Sequence, residues 1–221
     1  MEAWRITWFT VATALLATAL MLPPGLALAW LLARGRFRGR VLLDTVVSLP
    51  LVMPPVATGL VLLGLFAPLG PAGRVLSRMG VDVVFTWKAV VLAMTVMGLP
   101  LLVRTARGGI EQVDRRFEAA AATLGAGPLR VFFTITLPLA RPAVVAGAVL
   151  GFARALGEFG ATVMIAGSIP GSTRTLAVGI YSLAETGRDL DAFVLVAISA
   201  GIAFGALLGA NWLIRRAGDP A

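Results

Sequence analysis

The chain has 221 residues, 58% hydrophobic and 14% charged, with a mean hydropathy of +0.91; a soluble domain is roughly 45–50% apolar and about 25% charged, so much of this chain needs lipid as its solvent. It contains no His and no Cys, which excludes zinc, iron–sulfur, thiol and imidazole chemistry and every disulfide scaffold. Lys and Arg outnumber Asp and Glu by 19 to 11, a net charge of +8, but the basic residues fall in short clusters between apolar runs, a topology signal and not a nucleic-acid-binding face.

A bilayer core about 30 Å thick takes roughly 20 helical residues, and five runs qualify: Trp8 to Ala33, Val41 to Phe66, Val83 to Val103, Pro142 to Ile169 and Ala192 to Ile214. The expectation is an all-α polytopic membrane protein, one membrane domain over residues 1–221. The first run holds Ala27-Leu28-Ala29, the small-x-small form of a signal-peptide cleavage site. A signal peptide carries its positive charge before the apolar stretch, whereas here four Arg follow it, and the run exceeds the usual core of about 7–15 residues. It is therefore expected to stay as a span. The connection Arg34 to Arg40 then has four Arg in seven residues.

Asp44 in the second run and Lys88 in the third lie near span ends, where a charged head reaches the interface. Pro50, Pro54, Pro55, Gly98 and Pro100 interrupt the same two runs. Each proline frees a carbonyl four residues earlier, tolerable only where protein or a water-lined cavity satisfies it. Two readings follow: irregular packing, or kinked spans lining a path for a polar solute.

The connection 104–141 is too long for a turn and too polar to span. Glu111, Asp114, Arg115, Arg116 and Glu118 precede four alanines, Ala119 to Ala122, a helix-favouring stretch that Gly125-Ala126-Gly127-Pro128 ends. A second short apolar helix is expected over Pro128 to Leu137, broken by Pro138. An exposed apolar helix on such a loop is a docking surface for another protein, or else folds back on its own domain. The fourth run carries Arg154 and Glu158, four apart on an expected helix face and, for Arg154, roughly 18 Å from Pro142. Charges at that depth need a reason: a buried ion pair between elements, or a pathway in which Arg154 attracts an anion and Glu158 prevents a deep trap. Gly167 to Arg188 reads as a loop, with reception of a soluble partner as the alternative.

Alternation of basic residues orients the spans. Twelve Lys or Arg fall on one side and six on the other, with Arg154 inside a span. This puts the N-terminus outside and the C-terminus in the cytoplasm, making 104–141 a cytoplasmic loop.

Gly125, nine residues and then Ile135-Thr136-Leu137-Pro138 resemble the glycine and I-x-L-P half of the EAA loop of permease subunits in binding-protein-dependent ABC importers. The motif's glutamate position is Ala119, and Glu118 lies one residue upstream, about 100° away around a helix. Arg154-Ala155-Leu156-Gly157-Glu158-Phe159-Gly160-Ala161-Thr162 and Ile169 to Thr175 are similar to the molybdate branch of that family, and sulfate permeases share much of the first pattern. The resemblance implies the type I importer permease fold with a coupling helix in the cytoplasmic loop. It also implies an inner-membrane homodimer on two ATPase subunits, fed molybdate or tungstate by an extracytoplasmic oxyanion-binding protein. The residues implied in coupling are Glu118, Ala119, Ala120, Gly125, Ala126, Ile135, Leu137 and Pro138; Arg154, Glu158, Pro54 and Pro55 are the candidates for the pathway. The chain lacks a P-loop, since its only lysine, Lys88, follows Thr86-Trp87. No catalytic role, metal or cofactor is expected in this chain, so ATP and Mg²⁺ belong to the partner. The alternatives are a sulfate or thiosulfate permease, or a self-contained channel or secondary carrier using Arg154 and Glu158.

Overall fold

Away from water every backbone N–H and C=O must be satisfied within the chain, and among the described residues helices do most of it, with turns and side-chain caps at their ends. The computed structural model describes residues 2–218, with side chains beyond 209 described only at Trp212, and no β-strand occurs among the described residues. Helix α1 (Glu2–Arg34) runs through Pro23 and Pro24, and α5 (Trp87–Gln112) through Pro100. With α9 (Arg141–Leu156) they form the centre of the bundle, and glycines set how closely they approach. A Cβ on Gly98 would lie 2.9 Å from both Met21 Cε and the Gly151 carbonyl oxygen, and one on Gly25 would lie 2.6 Å from Leu102 Cδ2. Met21 opposite Gly98 and Gly25 opposite Leu102 make α1 and α5 parallel. Small residues that let backbones meet are the usual means of packing helices in lipid, where no hydrophobic drive separates helix from solvent.

The second expected span is two helices. α2 (Arg40–Val52) and α3 (Pro55–Phe66) are bent by 114° at Met53-Pro54. Pro54 and Pro55 explain the break: the residue before a proline is pushed out of the helical region, and Met53 has ψ 145. α4 (Pro71–Arg78) follows, a helix on a stretch without a long apolar run. The third span begins later and ends later than its apolar run. Phe85 has φ 58, a left-handed conformation that halts any earlier helix, and Thr86 Oγ1 accepts from the Lys88 N–H to cap α5. At the other end α5 continues through Arg104 and Arg107 to Gln112, because Arg, Glu and Gln favour helix as well as most apolar residues do.

The loop expected between the third and fourth spans is a helix, a turn and a helix. α6 (Arg115–Thr123) is capped by Asp114, whose Oδ1 accepts from the Arg116 N–H. Gly125 turns the chain at φ 85. α7 (Pro128–Val131) passes through a π-helical turn (Phe132–Thr136) into α8 (Leu137–Leu139). Pro138 therefore does not break this helix as expected; the wide turn before it absorbs the missing donor, and the 78° bend comes between Leu139 and Arg141.

The fourth expected span, 142–169, is also divided. α9 stops at Leu156 and α10 (Gly160–Ala166) starts after Gly157-Glu158-Phe159. The stretch read as a loop contains α11 (Leu176–Glu185), fixed by Thr10 Oγ1, which accepts from the Leu176 N–H at 2.8 Å, and by burial of Leu176, Val178 and Gly179. α12 (Asp189–Gly218) is the last span; it carries Arg215 and Arg216 inside the helical backbone, beyond the described side chains. Among the described residues three helices, α1, α5 and α12, are long and apolar enough to cross a membrane, and the number reaches five where each bent pair, α2 with α3 and Pro128–Leu139 with α9, counts as one span.

Candidate functional site

The two helix breaks meet. A Cβ on Gly160, the first residue of α10, would lie 2.8 Å from Pro55 Cβ and 3.0 Å from the Val56 nitrogen, and one on Gly59 would lie 2.7 Å from Ala161 Cα. The structure thereby brings Pro55, with Pro54 before it at the start of α3, against Gly160, two residues from Glu158, which pairs with Arg154. The expected geometry of the charged pair needs correction: Arg154 is in the last turn of α9 and Glu158 lies beyond its end. Glu158 is the deeper of the two, with 1% of its side chain exposed against 25% for Arg154. Its Oε1 accepts from the Ala161 N–H at 2.6 Å, closing the first turn of α10. Its Oε2 is 2.6 Å from Arg154 Nη1, an ion pair in an orientation outside hydrogen-bond geometry. The carboxylate joins two half-helices, while the guanidinium keeps part of its surface free.

Sequence reading did not single out the hydroxyls here. Thr58 on α3 and Thr162 on α10 are buried with Oγ1 unbonded, and a buried polar atom without a partner is uncommon enough to need a reason. The available signal was the pairing of small residues, Gly59 with Gly160 and Ala161, next to the prolines.

The coupling candidates occupy the end of the bundle that carries Arg34 and Gln112. Ala119, Ala120, Gly125 and Pro138 are exposed, while Ala126, Ile135 and Leu137 are half-buried. Phe117, Leu124, Leu129 and Phe133 add exposed apolar area on the same segment. Glu118 behaves differently. It pairs with Arg34 Nε at 3.0–3.1 Å and accepts from Thr136 Oγ1 at 2.7 Å, while Arg34 Nη2 donates to the Val113 carbonyl at 2.9 Å. The displacement of one residue from the motif's acidic position thus turns Glu118 inward, against α1 and the π-helical turn. No sequence signal distinguished Arg34 from its neighbours Arg36 and Arg38.

No group of His, Cys, Asp and Glu suited to a metal ion occurs among the described residues. The arrangement offers two things: a polar meeting point of broken spans, and an apolar helix-turn-helix at one end of the bundle.

Residues 25–217 match the family described as binding-protein-dependent transport system inner membrane component. The chain is 46% identical over 214 residues to the molybdenum transport system permease protein ModB of Escherichia coli K12, covering 96% of this chain and 93% of that one. It is 41% identical over 157 residues to the sulfate transport system permease protein CysT of Salmonella typhimurium, covering 71% and 57%. Among solved structures, a chain of the inward-facing MetNI methionine ABC transporter shares the fold with a TM-score of 0.74 at 16% identity, covering 99% of this chain and 97% of that chain.

Proposed function

The chain belongs to the binding-protein-dependent transport system inner membrane components, and from that membership we propose that it is the permease subunit of an ATP-driven molybdate importer. The observation that carries this reading is similarity along almost the whole chain to a molybdenum permease, greater in identity and in extent than that to a sulfate permease. Tungstate, an oxyanion of the same shape and charge, is within the same reading.

In this reading residues 1–221 work as one permease domain, paired with a second copy and seated on two ATPase subunits. The exposed apolar surface of 115–139 takes the ATPase, and Glu118 holds that surface to α1. ATP and Mg²⁺ act on the partner, so this chain does no catalysis of its own. The arginine-rich end faces the cytoplasm and the N-terminus faces outward, where an oxyanion-binding protein delivers the solute. The path passes the meeting point of the two breaks. Arg154, one quarter exposed, attracts the dianion; Glu158 limits how tightly it is held, since conduction needs a site weak enough to leave.

The test is uptake into proteoliposomes holding this chain. Molybdate accumulation is expected only with the ATPase subunit, external binding protein and internal ATP together. Uptake without the ATPase overturns the importer reading in favour of a channel or carrier. Uptake of sulfate that molybdate does not suppress overturns the choice of solute.

A further inference from the structure

The continuation of α5 beyond its apolar run places a second arginine inside a helix of membrane-spanning length. Arg104 lies eight residues before Gln112, about 12 Å from the end of the helix. Its neighbour one turn on, Arg107, is neutralised twice, by Asp44 Oδ2 and by Glu111 Oε1, each at 2.9 Å. Arg104 has no salt bridge among the described residues. Its Nε donates to Ser48 Oγ at 3.2 Å, and the residue as a whole is exposed. Ser48 is the buried residue of α2, and its own hydroxyl proton has no acceptor among the described residues.

These groups line a pocket of about 340 Å³ with Asp44, Thr45, Leu49 and Val52. The pocket follows one face of α2 upward to Val52, next to the break at Met53-Pro54 where α3 meets α10. An arginine inside a candidate span with no counter-ion among the described residues marks a functional site by default. Among the described residues two carboxylates serve Arg107 and none serves Arg104.

We propose that Arg104 and Ser48 form a second anion-binding step for a tetrahedral dianionic oxyanion, on the loop side of Arg154 and Glu158. This rests on the importer reading above. Arg104 contributes the charge and a planar set of donors, and Ser48 a hydroxyl donor from the opposite helix. Asp44 also lines the pocket, but it is engaged by Arg107 and weakens the field without cancelling it. Two shallow sites in series let an anion move on from each, as a conducting path requires.

The absence of cysteine allows a direct test in the assembled complex. Val52→Cys places one thiol in the pocket, to be reacted with anionic and cationic methanethiosulfonate reagents of similar size. Removing one positive charge at roughly 8 Å in a watery site lowers the anionic-to-cationic rate ratio by about fivefold, so Arg104→Gln is expected to do so and Arg104→Lys to keep the ratio. With Arg104 in place, molybdate is expected to slow the anionic reagent, a measurement that stands even if Arg104→Gln fails to assemble. An unchanged ratio in Arg104→Gln overturns the proposal, as does a thiol sealed off in the complex by the second copy, or an absence of molybdate protection. If the ratio and the protection hold but the wild-type complex accumulates no oxyanion, the importer reading fails and the anion site stands.

Discussion

Glu158 is held by two groups, and they contribute differently. Its Oε1 closes α10 through the Ala161 N–H, a role that a neutral amide also fills, whereas its charge is met, among the described residues, by Arg154 alone. Arg154→Ala leaves a carboxylate that is 1% exposed without a counter-ion, which costs about 3–5 kcal/mol in buried pairs. The double variant Arg154→Ala with Glu158→Gln is expected to recover most of that loss in thermal unfolding of the detergent-solubilised protein. Uptake separates a pathway role from a packing role: in the proposed function the double variant assembles yet transports at least tenfold less, and normal transport would leave the pair a purely structural one. Glu118 is the counterpart at the loop end. Losing it strands Arg34, whose side chain is 14% exposed, and a buried charge-assisted bond is worth about 1.5–3 kcal/mol. Glu118→Ala is expected to lower stability by about that amount and to raise hydrogen exchange in α6. Tyr181 is the only tyrosine in the chain, so its titration is read without overlap from another phenol. Its hydroxyl donates to Glu185 Oε1 at 2.6 Å, and that hydrogen bond, with the nearby negative charge, raises the phenol above its ordinary value. Folding thus favours the neutral phenol; this small contribution is complete below about pH 10 and is lost as pH rises through the raised value. Glu185→Ala, which removes both the acceptor and the charge, is expected to return the tyrosinate absorbance transition to ordinary pH.

Crossing half-helices depend on glycine at the contact and not elsewhere along the same helix. A Cβ at Gly59 meets Ala161 backbone 2.7 Å away, while one at Gly64 on the same helix meets nothing within 4 Å. Gly59→Ala is therefore expected to destabilise by about 1–3 kcal/mol through overpacking and to impair uptake. Gly64→Ala gains helix propensity of up to about 1 kcal/mol and leaves uptake unchanged. Equal behaviour of the two in unfolding and uptake would remove the meeting point from the mechanism. At this scale the sequence was legible where local chemistry decides. Asp114 caps α6 and Gly125 takes the left-handed turn after it, as the run of alanines ending in Gly-Ala-Gly-Pro implies. It was not legible where tertiary contacts decide. The break after Leu156 lies in an apolar run, so hydropathy does not register it, and only the capping by Glu158 and the approach of Pro55 to Gly160 reveal it. α11 was hidden for the related reason that its short apolar face is stabilised by α1 through Thr10. α5 outran its apolar stretch because charged residues with long straight side chains are compatible with helix.

The all-helical architecture and the three long apolar helices α1, α5 and α12 were readable from apolar length, which follows from the thickness of the bilayer. In the proposed function the ATPase takes apolar surface that the single chain leaves uncovered. Leu129 and Phe133 are exposed by 65% and 62% on the segment after the Gly125 turn. Phe133→Asp is expected to abolish co-purification with the ATPase subunit without changing the thermal stability of the permease alone; retained co-purification would place the ATPase elsewhere.

The parallel course of α1 and α5 has a further electrical meaning. Each long helix carries roughly half a negative charge at its C-terminus and half a positive charge at its N-terminus, and because these two run together their ends add instead of cancelling. The end that holds Arg34 and Gln112 would on backbone grounds alone repel an arriving anion. Arg34, in the last turn of α1, donates to the Val113 carbonyl just past the end of α5, so one guanidinium meets the negative ends of both helices and offsets part of the field of the chain's own backbone.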